Sequence, residues 1–269
     1  MTETLYSLTR MKISAMFAVA LSGFIVAGAV PAGADEAGAK KLLKAMSDYV
    51  GKQPSLSFDY DAVLEVVTKD DQKLALVSSG TVNLTRPDKL RATRVGGFAD
   101  VETLFDGTTL TLVGKNANLY TQIGVPGTIE HLVDELREKY HRPLPAADLL
   151  LSNSYDELMQ DVTDAKDLGS GVVGGMECDF LAFRKPDVDF QIWIAQGDKP
   201  YPCRFSITSR KVSGNPQYTV QVKNWKAPSG IVSAAYAFKN PTNAKKVELT
   251  DLQDKLSDLP GHFKIGADK

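Results

Sequence analysis

The sequence predicts a mainly β (α+β) protein in which one long antiparallel sheet carries a helical insertion. Three observations lead there. Segments of alternating apolar and polar residues recur at short, regular spacing between Asp-Gly, Asn-Pro and Pro-Asp turn signals. One helical pattern precedes them, and a second helical tract interrupts them midway. The 269 residues are 43% hydrophobic and 24% charged, a globular composition on a chain long enough for one large β-rich domain.

The N-terminus reads as an address. Arg10 and Lys12 precede the apolar run Ile13–Val30, which ends at Ala32-Gly33-Ala34 before Asp35-Glu36. That is the order of a secretory signal, and Gly23, Gly28 and the Ala-x-Ala site favour cleavage over a retained anchor. No cysteine adjoins the site, which excludes a bacterial lipid anchor. The expected organisation is a signal peptide over 1–34, a single domain over 35–248 and a polar tail over 249–269. The expected location is the periplasm or the exterior of a bacterium, with no membrane span after cleavage.

In the mature chain, Leu42, Leu43, Met46 and Val50 recur at helical spacing, so a helix is expected over Glu36–Val50, stopped by Gly51 and Pro54. Alternation then sets in over Ser57–Thr68. Asp70-Asp71 turns it into Lys73–Leu84, and Arg86-Pro87-Asp88 turns that into Lys89–Val95. Asp106-Gly107 joins Val101–Phe105 to Thr109–Val113 as a hairpin, and Leu119–Thr121 follows. The middle is helical. Gly127–Tyr140 carries an apolar stripe of Ile129, Leu132, Val133, Leu136 and Tyr140. Ala146–Leu151 is an apolar turn, and Ser154–Met159 is a short helix capped by Ser152 or Ser154. After Gly169–Gly175 the strands resume as Met176–Arg184, Asp189–Ala195, Tyr201–Ser209, Tyr218–Trp225 and Ile231–Phe238. A sheet this long curls and needs an apolar partner on one face, and the helical insertion is available.

Several functions are excluded or weak. With 31 basic and 33 acidic residues, net −2, the chain lacks the basic excess of a nucleic-acid binder. Gly169-Ser170-Gly171-Val172-Val173-Gly174 matches a dinucleotide fingerprint but leads into a strand, where the motif requires a helix N-terminus to hold the pyrophosphate. His131, Asp134, Glu135 and Glu138 share a helical face that a metal could use with His141, yet the solvated side of an amphipathic helix explains them. Asp59, Asp61 and Glu65 alternate as the outer face of a strand does. No nucleophile motif is present. No enzyme activity, cofactor or metal is expected.

The strings Arg86-Pro87-Asp88-Lys89-Leu90-Arg91 and Phe105-Asp106-Gly107-Thr108-Thr109-Leu110 resemble a family of predicted periplasmic proteins, domain of unknown function 2092. So do Leu144-Pro145-Ala146-Ala147-Asp148-Leu149-Leu150, Cys178-Asp179-Phe180-Leu181-Ala182-Phe183 and Gln191-Ile192-Trp193-Ile194. The resemblance runs from Ala37 to Glu248. That family is similar to the periplasmic lipoprotein-carrier superfamily, which implies a curved, unclosed antiparallel β-barrel with a helical plug. It also implies a hydrophobic cavity between barrel and plug.

On that resemblance, the expected function is non-enzymatic binding or carriage of a lipid or acylated ligand, with Gly127–Leu151 as a lid. The candidate ligand-binding residues are Ile129, Leu132, Leu136, Leu149, Leu150, Phe180, Ile192 and Phe205. The alternative is an envelope interaction or sensor module that grips a protein partner with the same fold. Cys178 and Cys203 form the candidate disulfide, since export permits one. In a simple meander two strand spacings, about 9.6 Å, exceed the roughly 7 Å that a bridge spans. A bulge or an early strand end would be needed to close it.

Overall fold

The computed structural model describes residues 36–97, 99–140, 144, 146–227 and 236–253. The signal segment, His141, His262 and residues 231–235 of the last expected strand lie outside the described residues. A helix, α1 (Glu36–Gly51), precedes six strands: β1 (Ser55–Val67), β2 (Lys73–Thr85), β3 (Lys89–Gly96), β4 (Asp100–Phe105), β5 (Thr109–Gly114) and β6 (Leu119–Gly124). Next come α2 (Ile129–Glu138), a 3-10 turn over Ala147–Leu150 and α3 (Ser154–Met159). Five further long strands follow: β7 (Asp164–Val173), β8 (Met176–Arg184), β9 (Val188–Ala195), β10 (Pro202–Ser209) and β11 (Gln217–Lys226). A two-residue β12 (Lys245–Lys246) and α4 (Leu249–Gln253) end the described chain.

All these strands form one sheet in the order β12-β6-β5-β4-β3-β2-β1-β11-β10-β9-β8-β7. Neighbours are antiparallel except β12, which lies parallel to β6. The outermost strands, β12 and β7, do not pair, so the curved sheet stays unclosed. Two local meanders, β1–β6 and β7–β11, are joined through the pairing of β1 with β11.

Register carries the apolar residues across the sheet in rows. Leu56 faces Leu84, Leu84 faces Leu90 and Leu90 faces Phe105. In the other wing Leu181 faces Ile192, Ile192 faces Phe205, Phe205 faces Val220 and Val220 faces Ala62. All these residues are buried. Each row lies on the inner face because side chains alternate with period two.

The helices cover that face. In α1 the residues Ala39, Leu43, Met46 and Val50 recur at i, i+4, i+7 and i+11 and are fully buried against β7, β8 and β9. Glu36 in the first turn suits the helix dipole. Thr128 caps α2 by accepting a hydrogen bond from the His131 amide, and the Ile129 amide donates to the Pro87 carbonyl, which seats the helix on the β2–β3 turn. The hairpin expected at Asp106-Gly107 forms. Gly107 takes φ +89°, and Asp106 Oδ1 accepts from the amides of Thr108 and Thr109.

Some expectations fail for identifiable reasons. Strand β7 was not foreseen, because its glycines and charges do not alternate; it is an edge strand with a bulge between Asp167 and Ser170. The glycine-rich tract lies on β7 and its turn, so it presents no helix N-terminus to a phosphate. The N-cap of α3 is Asn153, whose side chain makes no capping bond but donates to Glu157. Ser152 instead donates to Glu130, and Ser154 meets Ser47, Oγ to Oγ, at 2.7 Å. Within the segment read as a polar tail, α4 buries Leu252 completely.

Candidate functional site

A cavity of about 240 Å³ lies between β1–β4 and β11 on one side and a strap of residues 144 and 146–150 on the other. Phe58, Val82, Leu90 and Ala92 form its sheet wall, and Leu144, Ala146, Ala147, Leu149 and Leu150 form the strap wall. Val220 and Val222 of β11 close one side. The void exists because the wall is low at its centre. Ala92 is short; at Gly80, by contrast, the Tyr60 ring already fills the place a side chain would take. A Cβ at Gly80 would sit 1.9 Å from the Thr93 carbonyl oxygen and 2.7 Å from the Tyr60 hydroxyl, so only glycine fits. The Tyr60 hydroxyl donates to that Thr93 carbonyl at 2.9 Å.

The strap packs Leu149 into the core, with Leu144, Ala146, Ala147 and Leu150 against it, and is also tied by polar contacts at its edges. Arg86 donates to the Leu150 carbonyl at 2.6 Å and lies 3.6 Å from Glu130. Glu130 in turn accepts from the Ser152 hydroxyl and amide at 2.8 and 3.2 Å. Burial works against the Glu130 carboxylate, but the Ser152 bonds outweigh it and hold the group below the usual carboxylate range. Arg137 reaches Asp148 at 3.2 Å. Burial nevertheless pushes the Asp148 carboxyl up, with Arg137 opposing. Ala146 adopts φ +63°, a left-handed conformation uncommon for a residue with a Cβ.

One residue gives the cavity polarity. Arg94, two residues along β3 from Ala92, is the only charged side chain that lines it among the described residues. Tyr218 lines the same cavity; burial raises its phenol and the Arg94 charge opposes that.

Of the residues singled out from sequence, Leu149 and Leu150 line the cavity. Ile129, Leu132 and Leu136 belong to the buried stripe of α2 and pack into the closed core, as do Ile192 and Phe205. Phe180 is on the other face of the sheet, stacked on Trp193 with ring centroids 4.4 Å apart. Its neighbours Leu181 and Phe183 are the buried inward residues. The alternation was read in the wrong phase because β8 carries aromatic residues on both faces. The lining residues Val82, Leu90, Ala92 and Arg94 were not among those candidates. The signal for them was the alternation of β2 and β3 itself.

The two cysteines meet on the outer face behind β9. Cys178 pairs with Ala195, and β10 is irregular between Pro202 and Arg204, with Cys203 at the irregularity. That bulge removes the geometric objection of two strand spacings. The sulfurs lie 2.6 Å apart as two buried thiols, not as a disulfide. Burial pushes both thiols up in pKa.

The remaining candidate groups are engaged or solvated. Asp59 accepts from Asn224 at 2.7 Å, Asp61 pairs with Lys223 and Ser79, and Glu65 pairs with Lys73 at 3.2 Å. His131 is exposed. Among the described residues no group of three or more His, Cys, Asp or Glu side chains is placed to hold a metal ion. No helix among them is long and apolar enough to cross a membrane.

Known structures resemble this fold only distantly. An uncharacterised conserved protein from Thermus thermophilus is 12% identical, with 78% of this chain and 98% of that one covered at a TM-score of 0.46. Lipoprotein LppX from Mycobacterium tuberculosis is 14% identical, covering 73% and 100% at 0.37. A complex of MucA and MucB from Pseudomonas aeruginosa is 14% identical, covering 76% of this chain and 62% of that one at 0.42. No curated protein matches the chain in sequence. At family level the match is extensive: residues 39–250 fit the family described as predicted periplasmic protein (DUF2092), and the chain belongs to that periplasmic family.

Proposed function

We propose that this protein is a periplasmic, non-enzymatic binding or carrier protein whose ligand inserts one hydrocarbon chain between the sheet and the strap. The observation that carries this reading is the apolar cavity under the strap. Its 240 Å³ far exceeds the space that one water needs, so a hydrocarbon chain can enter it. Apolar walls gain about 0.8 kcal/mol per methylene removed from water. The strap acts as the lid, because it is short and irregular and its charged anchors sit at the rim, where they can re-form after opening.

Ala92→Phe tests this. Ala92 is half-buried and faces the void, so the larger ring fills space that a ligand would take. The variant is expected to fold with unchanged or higher stability and to lose ligand binding. Wild-type protein, stripped of lipid and titrated with decanol, should gain about 2.7 kcal/mol of stability at a hundredfold the dissociation constant. Native mass spectrometry should show the added mass on wild type and not on Ala92→Phe. Absence of any bound single-chain compound on wild type would overturn the reading and leave an envelope interaction module in its place.

A further inference from the structure

We infer that the outer face of the sheet carries a second site, separate from the cavity, which receives an oxyanion (a phosphate or carboxylate group) at Arg204. Register sets Phe180, Trp193, Arg204 and Gln221 side by side across β8, β9, β10 and β11. Phe180 stacks on Trp193, and the Arg204 guanidinium carbon lies 5.4 Å from the centre of the Trp193 ring. That stacking occupies a face of the guanidinium, whereas its N–H donors radiate in the plane, at the edge. Among the described residues nothing takes them: Arg204 has no ion pair and no hydrogen-bond acceptor, and its Nε is buried without one. The glycine-rich tract roofs this row. A Cβ on Gly171 would lie 3.0 Å from the Trp193 indole nitrogen, and one on Gly174 would lie 3.5 Å from the Gln221 amide nitrogen. The tip of the β7–β8 hairpin therefore folds over the row, held down by Val173, which packs with Cys178, Ala195 and Cys203. Glycines there keep side chains out of the space beside the donors. The carboxylates at adjoining positions are engaged elsewhere, Asp61 by Lys223 and Ser79 and Asp179 by Gln196. Arg204 and Gln221 thus offer adjacent N–H donors that the chain itself leaves without an acceptor. Both are half-buried, and a charge-assisted bond to an oxyanion is stronger in such a setting than at an open surface.

Inorganic phosphate, titrated into the isotope-labelled protein against sodium chloride of matched ionic strength, tests the site by NMR. The Trp193 indole and Gln221 side-chain signals are expected to shift saturably, while the Trp225 indole signal stays still. Arg204→Met should weaken phosphate binding about tenfold and Gln221→Leu about fivefold. Arg204→Lys should keep part of the affinity, since it keeps the charge and loses the fork. Thermal melts of the variants check that the fold persists. Glycerol phosphate, and phosphatidylcholine vesicles with and without phosphatidylglycerol, separate the sources of the oxyanion. Binding of glycerol phosphate without retention on vesicles marks a soluble anion. Retention on the anionic vesicles that phosphate competes away marks a lipid head group, and either result supports the site. If phosphate moves the Trp193 signal no more than chloride does, or if Arg204→Met binds phosphate as wild type does, the site is refuted. The cavity reading is untouched by that failure, because decanol binding tests it separately.

Discussion

Under β7, β8 and β9 the inner face of the sheet is closed by α1, whose Leu43, Met46 and Val50 are fully buried. Under β1 to β4 the same face is roofed by the strap, where Leu149 is buried but Leu144 and Leu150 are half-exposed. The closed wing is filled as a core is filled, by a helix presenting one apolar stripe. The open wing is spanned by a short, irregular segment anchored through Arg86, Glu130 and Arg137. Arg137 and Asp148 form an exposed pair of the kind that contributes little, while Arg86 and Glu130 are half-buried. One sheet thus carries a wing closed as a core and a wing that holds a cavity.

The largest expected effect tests that division directly. Leu43→Ala, in the closed wing, should cost about 2–5 kcal/mol, as deletion of a fully buried leucine does. Ligand affinity should be unchanged. Leu150→Ala, in the strap, should cost well under that and weaken binding instead. Urea melts paired with titration of decanol separate the two patterns, and a common pattern for both variants would break the division.

A second effect concerns the back of the closed wing. Closing Cys178 to Cys203 through exchange with a disulfide-bearing oxidant passes two electrons and two protons to the oxidant, whose disulfide becomes two thiols. It should stabilise the protein by about 3 kcal/mol through the 25-residue separation it spans. The raised thiol pKa values make unassisted exchange slow. Protein treated with such an oxidant and then unfolded without reductant should resist alkylation, with ligand affinity the same in both redox states. Two labelled cysteines in such material would show that the pair remains reduced.

A smaller effect is expected in the open wing. Glu130 titrates below the ordinary carboxylate range when folded. Its contribution is therefore complete above the ordinary range and is lost as pH falls through the lower folded value. Glu130→Gln should cost about 1 kcal/mol near neutrality and weaken ligand retention, with the gap from wild type closing in acid. Asp148 runs the other way: burial raises its pKa, so its ionised form costs stability at neutral pH and acid relieves that cost. Stability curves of wild type, Glu130→Gln and Asp148→Asn between pH 3 and 7, a range chosen around ordinary carboxylate pKa values of about 4, would resolve the two signs.

Legibility from sequence does not divide along the two wings. The stripe of α1 repeats over four turns, and the Asp106-Gly107 hairpin carries its own conformational signature. The phase of β8 was not legible, because Phe180 and Trp193 make an outer-face stack as apolar as the inner row. The edge strand β7 was hidden by Gly169 and Gly171. The cavity opens over the small Ala92, and periodicity reports only residues that are large. The bulge at Cys203 had one weak marker, Pro202, which has no amide to give to a regular ladder.

The position of β1 has a consequence for how the chain assembles. It is the first strand made, yet it lies in the middle of the sheet, and its second neighbour, β11, comes last among the long strands. Asp59 and Asn224, which join the two, are 165 residues apart. Each meander forms from local pairings at low cost in loop entropy, but the seam between them waits for the whole length of the chain. Until β11 arrives, one edge of β1 offers unpaired amides and carbonyls to any other strand nearby. A chain delivered through a membrane N-terminus first holds that edge open for most of its passage, which makes the β1–β11 seam the step at which chaperone protection would matter most.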